Sequence, residues 1–265
     1  VREQQGVMPQ LVEKQTLGEG IGLSWNEVKF DKLTAQDITE TTELDNPQQM
    51  ADTLFTITPT AAGVETVITD RVAARISKNA YAKIGSLAQN SIQRKKDEDG
   101  LTMLDGFSNS YCGAGSTLTS GHIAAAMGLI TGNATEPAHP PFRCVLHPYQ
   151  IHDIEDEIVA GVGTYNVGEG LTARVFSEGF RGMIAGAQLY PDGNIALTGT
   201  DMKGGVFAEE ALVLVQGRAP RMVPVRAEHI GGGATKIYHY DEYAYGERLD
   251  TWGVEIYSDA TAPTS

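Results

Sequence analysis

The chain has 265 residues, of which 41% are hydrophobic, which is enough for one compound domain or two small ones with a buried core. Its 34 acidic residues outnumber the 20 basic ones, and the resulting net charge of −14 argues against a dedicated nucleic-acid-binding protein, which needs a basic surface to contact phosphates. No apolar run approaches the roughly 20 residues of a transmembrane helix, and two cysteines, Cys112 and Cys144, are too few for a disulfide framework.

The first part of the chain predicts an extended arm followed by a strand. Residues 1–22 are polar and contain spaced glycines. Apolar residues then alternate in two phases, first Leu23 and Trp25, then Val28 and Phe30. A one-residue slip between the two phases predicts a strand with a bulge or bend.

The segment 31–53 is unusually polar for a folded core. Strand-like alternation returns at 54–58 and 64–68, so 24–66 predicts a long β-hairpin with a polar tip. Such an arm cannot bury a core of its own, and it is therefore either disordered or ordered by a neighbouring subunit. The candidate inter-subunit residues of this loop are Lys32, Asp37, Glu40, Glu43, Asp45 and Asp52.

A long helix is predicted from about Asp70 to about Lys96. Apolar residues recur in it at spacings of three and four, which is typical of a helix with one buried face. Basic residues fall roughly opposite this stripe and predict a basic face that points away from the core, either as a solvated surface or as a contact for an acidic partner. The predicted core face is Val72, Ile76, Ile84 and Leu87, and the predicted basic face is Arg71, Arg75 and Lys78.

The rest of the chain alternates between short helices and short strands. Helices are predicted at 118–130 and from Pro148 onward, with a buried strand at 143–146 between them. The whole pattern predicts an α+β fold. Further strands are predicted at 223–225, 237–240 and 254–256, as members of one closing sheet.

The sequence carries no strong catalytic or metal-binding motif. The glycine-rich run 113–117 lacks the lysine of a phosphate-binding loop, and no serine lies in a nucleophile-elbow motif. The six histidines include no metalloprotease pair. We therefore predict no catalytic residue, no metal and no cofactor, and expect that the protein is not an enzyme.

Several residue patterns, in order, resemble the major capsid proteins of tailed double-stranded DNA bacteriophages. Residues 54–59 and 63–70 resemble the returning strands of that family's extended loop as they run into its spine helix, and 93–106 resemble the end of that helix and the turn after it. Residues 144–148 resemble a strand and helix start in its axial domain. The family shares its fold with encapsulins and the floor of herpesvirus capsids.

The resemblance implies a virion coat protein, made in the host cytoplasm, that assembles with itself through hexamers and pentamers into an icosahedral shell. It implies portal, scaffolding and possible decoration proteins as partners, and enclosed double-stranded DNA without sequence-specific binding or a membrane. An encapsulin-like compartment and an enzyme using the 113–117 loop are the alternatives. The implied parts are an N-terminal arm (1–23), an extended loop (24–66), a peripheral domain (67–112 and 217–260), an axial domain (113–216) and a tail (261–265).

Overall fold

A computed structural model describes residues 6–30, 33–35, 37–41, 49, 52–75, 78–160 and 182–263, with the backbone alone for 78–82, 159–160 and 197. Helices and strands are both abundant in these ranges, and the predicted α+β class is confirmed. The helices are α1 (Met8–Leu11), α2 (Asp70–Ala73), α3 (Lys78–Thr102), α4 (Ser120–Thr131) and α5 (Pro148–Ala160).

The strands form two larger sheets and one separate hairpin. They are β1 (Glu13–Thr16), β2 (Trp25–Phe30), β3 (Asp52–Ile57), β4 (Thr60–Thr69), β5 (Ser110–Cys112), β6 (Phe142–Leu146), β7 (Met183–Ile184), β8 (Ala187–Pro191), β9 (Leu197–Thr198), β10 (Asp201–Ala208), β11 (Leu212–Ala227), β12 (Ala234–Glu247) and β13 (Gly253–Asp259).

The first sheet has the order β1-β11-β12-β4, and α3 packs against it. Strands β11 and β12 form its long central antiparallel pair, while β1 runs parallel to β11 at one edge. Strand β4 pairs with the other side of β12 and leads directly into α2. The N-terminal segment and the C-terminal part of the chain are therefore joined by this sheet.

The second sheet has the order β5-β13-β10-β6-β8-β7, with β9 paired to β10. Strand β13 lies between β5 and β10, which corrects the prediction that 254–256 shares a sheet with 223–225 and 237–240. Val254 and Ile256 are fully buried and Glu255 is nearly so, because β13 is an inner strand covered on both faces. Alternation in a sequence identifies a strand, but it does not identify the partner of that strand.

The main hydrophobic core lies between the second sheet and helices α4 and α5. Ile123 and Ile130 of α4, Ile154 of α5 and Phe207 of β10 are all fully buried in it. Both helices were predicted, and Pro148 occupies the first turn of α5 as expected. The same core continues through Leu101 and Leu104 to the first sheet, so the two sheets share one apolar interior.

The long helix differs from its predicted form. Val72 lies in the short α2 and is 44% exposed, so its assignment to the core face is wrong. Ile84 and Leu87 are half-buried, and Ile76 lies outside the described residues. The helix runs to Thr102 instead of Lys96, and its deeply buried apolar residues are Ala88, Ile92 and Leu101. The buried stripe thus begins later than the apolar residues alone indicate, because the C-terminal half of α3 is the part that enters the core.

Candidate assembly surfaces

Strands β2 and β3 form a two-stranded hairpin whose inner face packs on the first sheet. Ile57 is buried with Val213 and Val215 of β11, and Trp25 and Phe55 pack beside them. The Trp25 and Phe55 rings meet edge to face, with their centroids 6.3 Å apart. The base of the hairpin is therefore fixed by apolar contacts within the subunit.

Charged side chains also hold this inner face. The Arg248 guanidinium, which is largely buried, donates hydrogen bonds to Glu13 at 2.5 Å and to Glu27 at 2.8 Å. Farther out, the Lys29 ammonium lies 3.2 Å from Glu136. The Arg248 contacts are charge-assisted and partly desolvated, so they contribute more to the position of β2 than the exposed Lys29 pair does.

The outer face of the hairpin carries a continuous apolar surface. Val28 and Leu54 are directly opposite each other in the register, and Phe30 follows on the same face. These side chains are 45%, 65% and 59% exposed, respectively. We call Val28, Phe30 and Leu54 the outer hairpin patch. A contiguous exposed apolar surface on a strand pair is typical of a contact with another protein.

The predicted inter-subunit residues lie around this hairpin or outside the described part of the chain. Asp52 begins β3 and is exposed, directly opposite Phe30. Asp37 and Glu40 are also exposed. Lys32, Glu43 and Asp45 lie outside the described residues. A role for these six residues in subunit contacts stays a prediction.

The predicted basic face is divided between two segments. Arg71 in α2 and Arg75 just after it are exposed, whereas Lys78 is the first residue of α3 and its side chain is outside the described part. Asp70, beside them, is paired with Arg226 of β11. The position of Arg71 and Arg75 on the surface is compatible with an outward-facing role, and their partner stays a prediction.

Two buried polar clusters on α3 were missed by the sequence reasoning. Lys96 and Asp97 occur in a run of charged residues that is typical of a solvated helix surface, yet they are 6% and 0% exposed. A signal was present, because Lys96 follows Ala88 and Ile92 at a spacing of four and so continues the buried stripe. The first cluster contains Lys96, Gln216 and Asp241, and the second contains Asp97, Asp192 and Asn194.

The second cluster attaches the N-terminal segment to the body of the protein. The backbone N–H of Met8 donates to Asp97 at 2.9 Å, and that of Val7 donates to Asp192 at 3.3 Å. The Asn194 side chain donates to Asp97 at 2.7 Å. Burial, together with the adjacent Asp97 carboxylate, raises the pKa of Asp192 to about 7.

The glycine-rich loop does not have the form of a phosphate site. Gly113 and Gly115 have positive φ values of 109° and 70°, and they form a turn before α4. The Gly115 N–H donates to the Asp201 carboxylate at 2.9 Å, so the protein's own acid occupies a donor that a phosphate would need. The loop therefore gives no support to the enzyme alternative.

Within the described ranges, no group of three or more His, Cys, Asp or Glu side chains is arranged to hold a metal ion. None of the helices described is both long and apolar enough to span a membrane.

Comparison with known proteins gives matches in structure and none in sequence. No protein-family model and no curated protein matches the sequence. A structure from Mycobacterium phage Che8 is 16% identical with a TM-score of 0.75, over 95% of this chain and 91% of that one. The capsid of cyanophage P-SCSP1u is 13% identical with a TM-score of 0.73, over 99% and 90%. The holo-SrpI encapsulin of Synechococcus elongatus is 11% identical with a TM-score of 0.65, over 97% and 89%.

These matches extend over almost the whole of each chain, so the likeness includes both sheets and the hairpin and is not confined to a shared substructure. At such low sequence identity, the likeness is one of three-dimensional structure, which diverges more slowly than sequence. The chain has the fold of the phage major capsid proteins that its sequence resembles.

Proposed function

We propose that the protein is the major capsid protein of a tailed bacteriophage and assembles through hexamers and pentamers into the icosahedral shell that holds the genome. The observation that carries this proposal is the near full-length match to phage capsid structures, over 95% of this chain and 91% of the other in one case. The shell subunit is a structural protein in this proposal and performs no catalysis.

The parts of the fold then take the roles that the family resemblance implies. Residues 1–23 are the N-terminal arm, 24–66 the extended loop, 113–216 the axial domain, and α3 the spine helix of the peripheral domain formed by 67–112 and 217–260. The pairing of β13 with β10 supports ending the second peripheral segment before Gly253 and assigning β13 to the axial sheet.

The outer hairpin patch is the surface that we expect to bind the next subunit. It is apolar, it lies on a ribbon that is fixed at its base, and it is exposed in the isolated chain. A closed shell of repeated subunits requires each subunit to extend an element across its boundary, because repeated contacts of one kind join the rings to each other. Burial of Val28, Phe30 and Leu54 by a neighbour would contribute roughly 25 cal/mol for each Å² of apolar surface.

The charge of the chain suits a container for DNA. With a net charge of −14, the subunit does not bind the enclosed double-stranded DNA strongly, so DNA is retained by enclosure. Portal and scaffolding proteins are the proposed partners of such a shell, and a decoration protein on the outside is an optional one. The proposed location is the virion, after synthesis in the host cytoplasm.

A second candidate function is an encapsulin-like compartment that encloses a cargo protein. The match to the SrpI encapsulin, over 97% of this chain, favours it specifically. The two functions differ in contents, because a phage shell holds DNA and a compartment holds protein.

Electron microscopy of the purified protein tests the proposal directly. We expect rings and closed shells from the full chain at high concentration. A small fixed oligomer at every concentration would contradict both functions. Particles isolated from the native source then separate the two, since nuclease-protected DNA identifies a phage shell and a stoichiometric second protein identifies a compartment.

A further inference from the structure

Lys96, Gln216 and Asp241 form a closed triangle of side chains where α3 crosses the first sheet, and Lys96 and Asp241 are buried while Gln216 is half-buried. The Lys96 ammonium donates to Gln216 Oε1 at 2.5 Å and lies 3.3 Å from Asp241 Oδ2. Gln216 Nε2 in turn donates to Asp241 Oδ1. The lysine side chain is 8% exposed and the aspartate side chain is fully buried. An amine, a primary amide and a carboxylate therefore contact each other at a site where the amine and the carboxylate are shielded from water.

Burial makes the Lys96 ammonium a readier proton donor than an exposed lysine. Burial lowers the pKa of the Lys96 ammonium, and its attraction to Asp241 offsets that effect only in part. Lys14, a cation on β1, contributes in the same direction as burial. The Tyr243 ring covers the amine at 4.8 Å from its centroid. The nitrogen is thus held in a site where a neutral, nucleophilic form is accessible.

The geometry of Gln216 is equally specific. A shift in the β11–β12 register falls between Gln216 and Arg218, and an irregularity of this kind redirects the side chains around it. The amide oxygen faces Lys96, while the amide nitrogen donates to Asp241 and also to the carbonyl oxygens of Glu242 and Arg218. The carboxylate therefore touches both the attacking nitrogen and the nitrogen that would leave.

We propose that Lys96 and Gln216 join in an intramolecular isopeptide bond, with Asp241 carrying the proton between the two nitrogens. The reaction starts from the ion pair, in which Lys96 gives one proton to Asp241. The lone pair of Nζ then attacks Cδ of Gln216, and the Nζ–Cδ bond forms as the carbonyl electrons move to Oε1.

The leaving group departs with balanced atoms and charges. The protonated Asp241 gives its proton to Nε2, and the Cδ–Nε2 bond breaks as the carbonyl re-forms. Asp241 then takes a proton from Nζ and passes it to the departing ammonia. A lysine ammonium and a primary amide become a secondary amide and one ammonium ion. No oxidant, reductant or metal takes part, and the barrier is lowered because the reacting groups are held in place by the fold.

The bond would connect α3 covalently to the junction of β11 and β12. It closes a loop that contains residues 97–215, and therefore α4, α5 and every strand of the second sheet except β13. Such a loop restricts the unfolded chain and resists separation of the two sheets. This inference rests on the triangle alone and stands independently of the proposed shell.

Intact-mass measurement of the denatured full-length protein tests the proposal without any substitution. We expect a mass lower than that of the sequence by one ammonia, and a tryptic digest without cleavage after Lys96 that contains a branched peptide joining Lys96 to Gln216. The full sequence mass with ordinary cleavage after Lys96, in freshly folded and in aged protein, overturns the proposal. A loss of ammonia that fragmentation locates at any other residue overturns it as well.

Three variants identify the roles of the groups. Asp241→Asn keeps the amine and the amide but removes the proton carrier, so we expect the full mass. Gln216→Glu should lose one water in place of ammonia. Lys95→Ala is the matched control, because its neighbouring lysine is exposed and paired with Asp99, and it should lose ammonia as the parent does.

Discussion

Asp97 and Asp192 place two carboxyl groups side by side in the interior, and Asn194 contacts both of them. The Asn194 side chain donates to Asp97 at 2.7 Å, and its backbone N–H donates to Asp192 at 2.9 Å. Both acids are almost completely buried, at 0% and 2% exposed, and the buried hydroxyl of Tyr245 lies nearby. Burial and the adjacent Asp97 carboxylate both favour the protonated form of Asp192 and raise its pKa to about 7.

The stability of the protein should fall as the pH rises toward 7. The pKa of Asp192 is raised from its ordinary 3.8 to about 7 in the folded protein. Between these values the folded state binds more protons than the unfolded state, so unfolding becomes easier as the pH increases through this window. Asp192→Asn resembles the protonated acid, and we expect it to stabilise the protein by roughly 1–2 kcal/mol above pH 7 and by little near pH 4. Thermal melting of parent and variant across this range measures the difference, and parallel curves would contradict the raised pKa of Asp192.

Substitution of Gly253 should destabilise the second sheet. A Cβ built on this residue lies 2.0 Å from the ring of Phe107, which is buried at 4% exposure. Gly253→Ala should cost about 1–3 kcal/mol through overpacking. Gly128→Ala is the control of opposite sign: nothing lies within 4 Å of its Cβ, and in the helix α4 alanine should add up to about 1 kcal/mol of stability. Chemical denaturation compares the two, and equal midpoints would show that the Phe107 contact is unimportant.

The buried stripe of α3 predicts different costs for two apolar truncations. Ile92→Ala removes a side chain that is 6% exposed and should lower the free energy of unfolding by about 2–5 kcal/mol. Val72→Ala, on the exposed α2, should change it by less than about 0.5 kcal/mol. Denaturant titration of both variants measures the free energy of unfolding. A larger decrease for Val72→Ala than for Ile92→Ala would show that the core contacts lie at the α2 end of this region and not in the C-terminal half of α3.

The outer hairpin patch should affect assembly and leave the isolated subunit intact. Because Leu54 is 65% exposed, Leu54→Ser should leave the melting temperature of unassembled subunits close to that of the parent. It should reduce the yield of shells at least about tenfold, since a loss of about 1.4 kcal/mol per contact changes an equilibrium constant by that factor. Leu129→Ser is the control, because this leucine is 40% exposed on α4 and is not part of the outer hairpin patch. Sedimentation separates shells from free subunits. Equal shell yields from the two variants would remove the patch from the interface.

The basic residues near α2 should make assembly sensitive to salt if they meet an acidic partner. Replacing Arg71, Arg75 and Lys78 together by Gln should flatten the decrease in particle yield between low and high ionic strength, because screening shortens the Debye length from about 10 Å at 0.1 M to about 3 Å at 1 M. The control replaces Arg94 and Lys95, which already pair with acids on their own helix. Identical salt curves for parent and triple variant would identify Arg71 and Arg75 as a simple solvated surface.

Local patterns in the sequence were sufficient to predict the helices and strands whose formation depends on residues close together in the chain. The strand alternation at 54–58, the helix that begins at Pro148 and the α+β class were all predicted from periodicity and turn residues. The partner of β13 was not, because the choice between two sheets depends on contacts across the chain. Lys96 and Asp97 were missed for a related reason. A charged side chain is accommodated in a core when its partners, here Asp241 and Asn194, come from distant parts of the chain.

The position of β13 also determines when the second sheet can become complete during synthesis. This strand follows the other described strands in the chain, yet it lies between β5 and β10. Until the ribosome has produced residues 253–259, the facing edges of β5 and β10 have no hydrogen-bonding partner, and both are open to pairing with other chains. A nascent subunit therefore cannot present a finished second sheet to its neighbours before residues 253–259 have been synthesised.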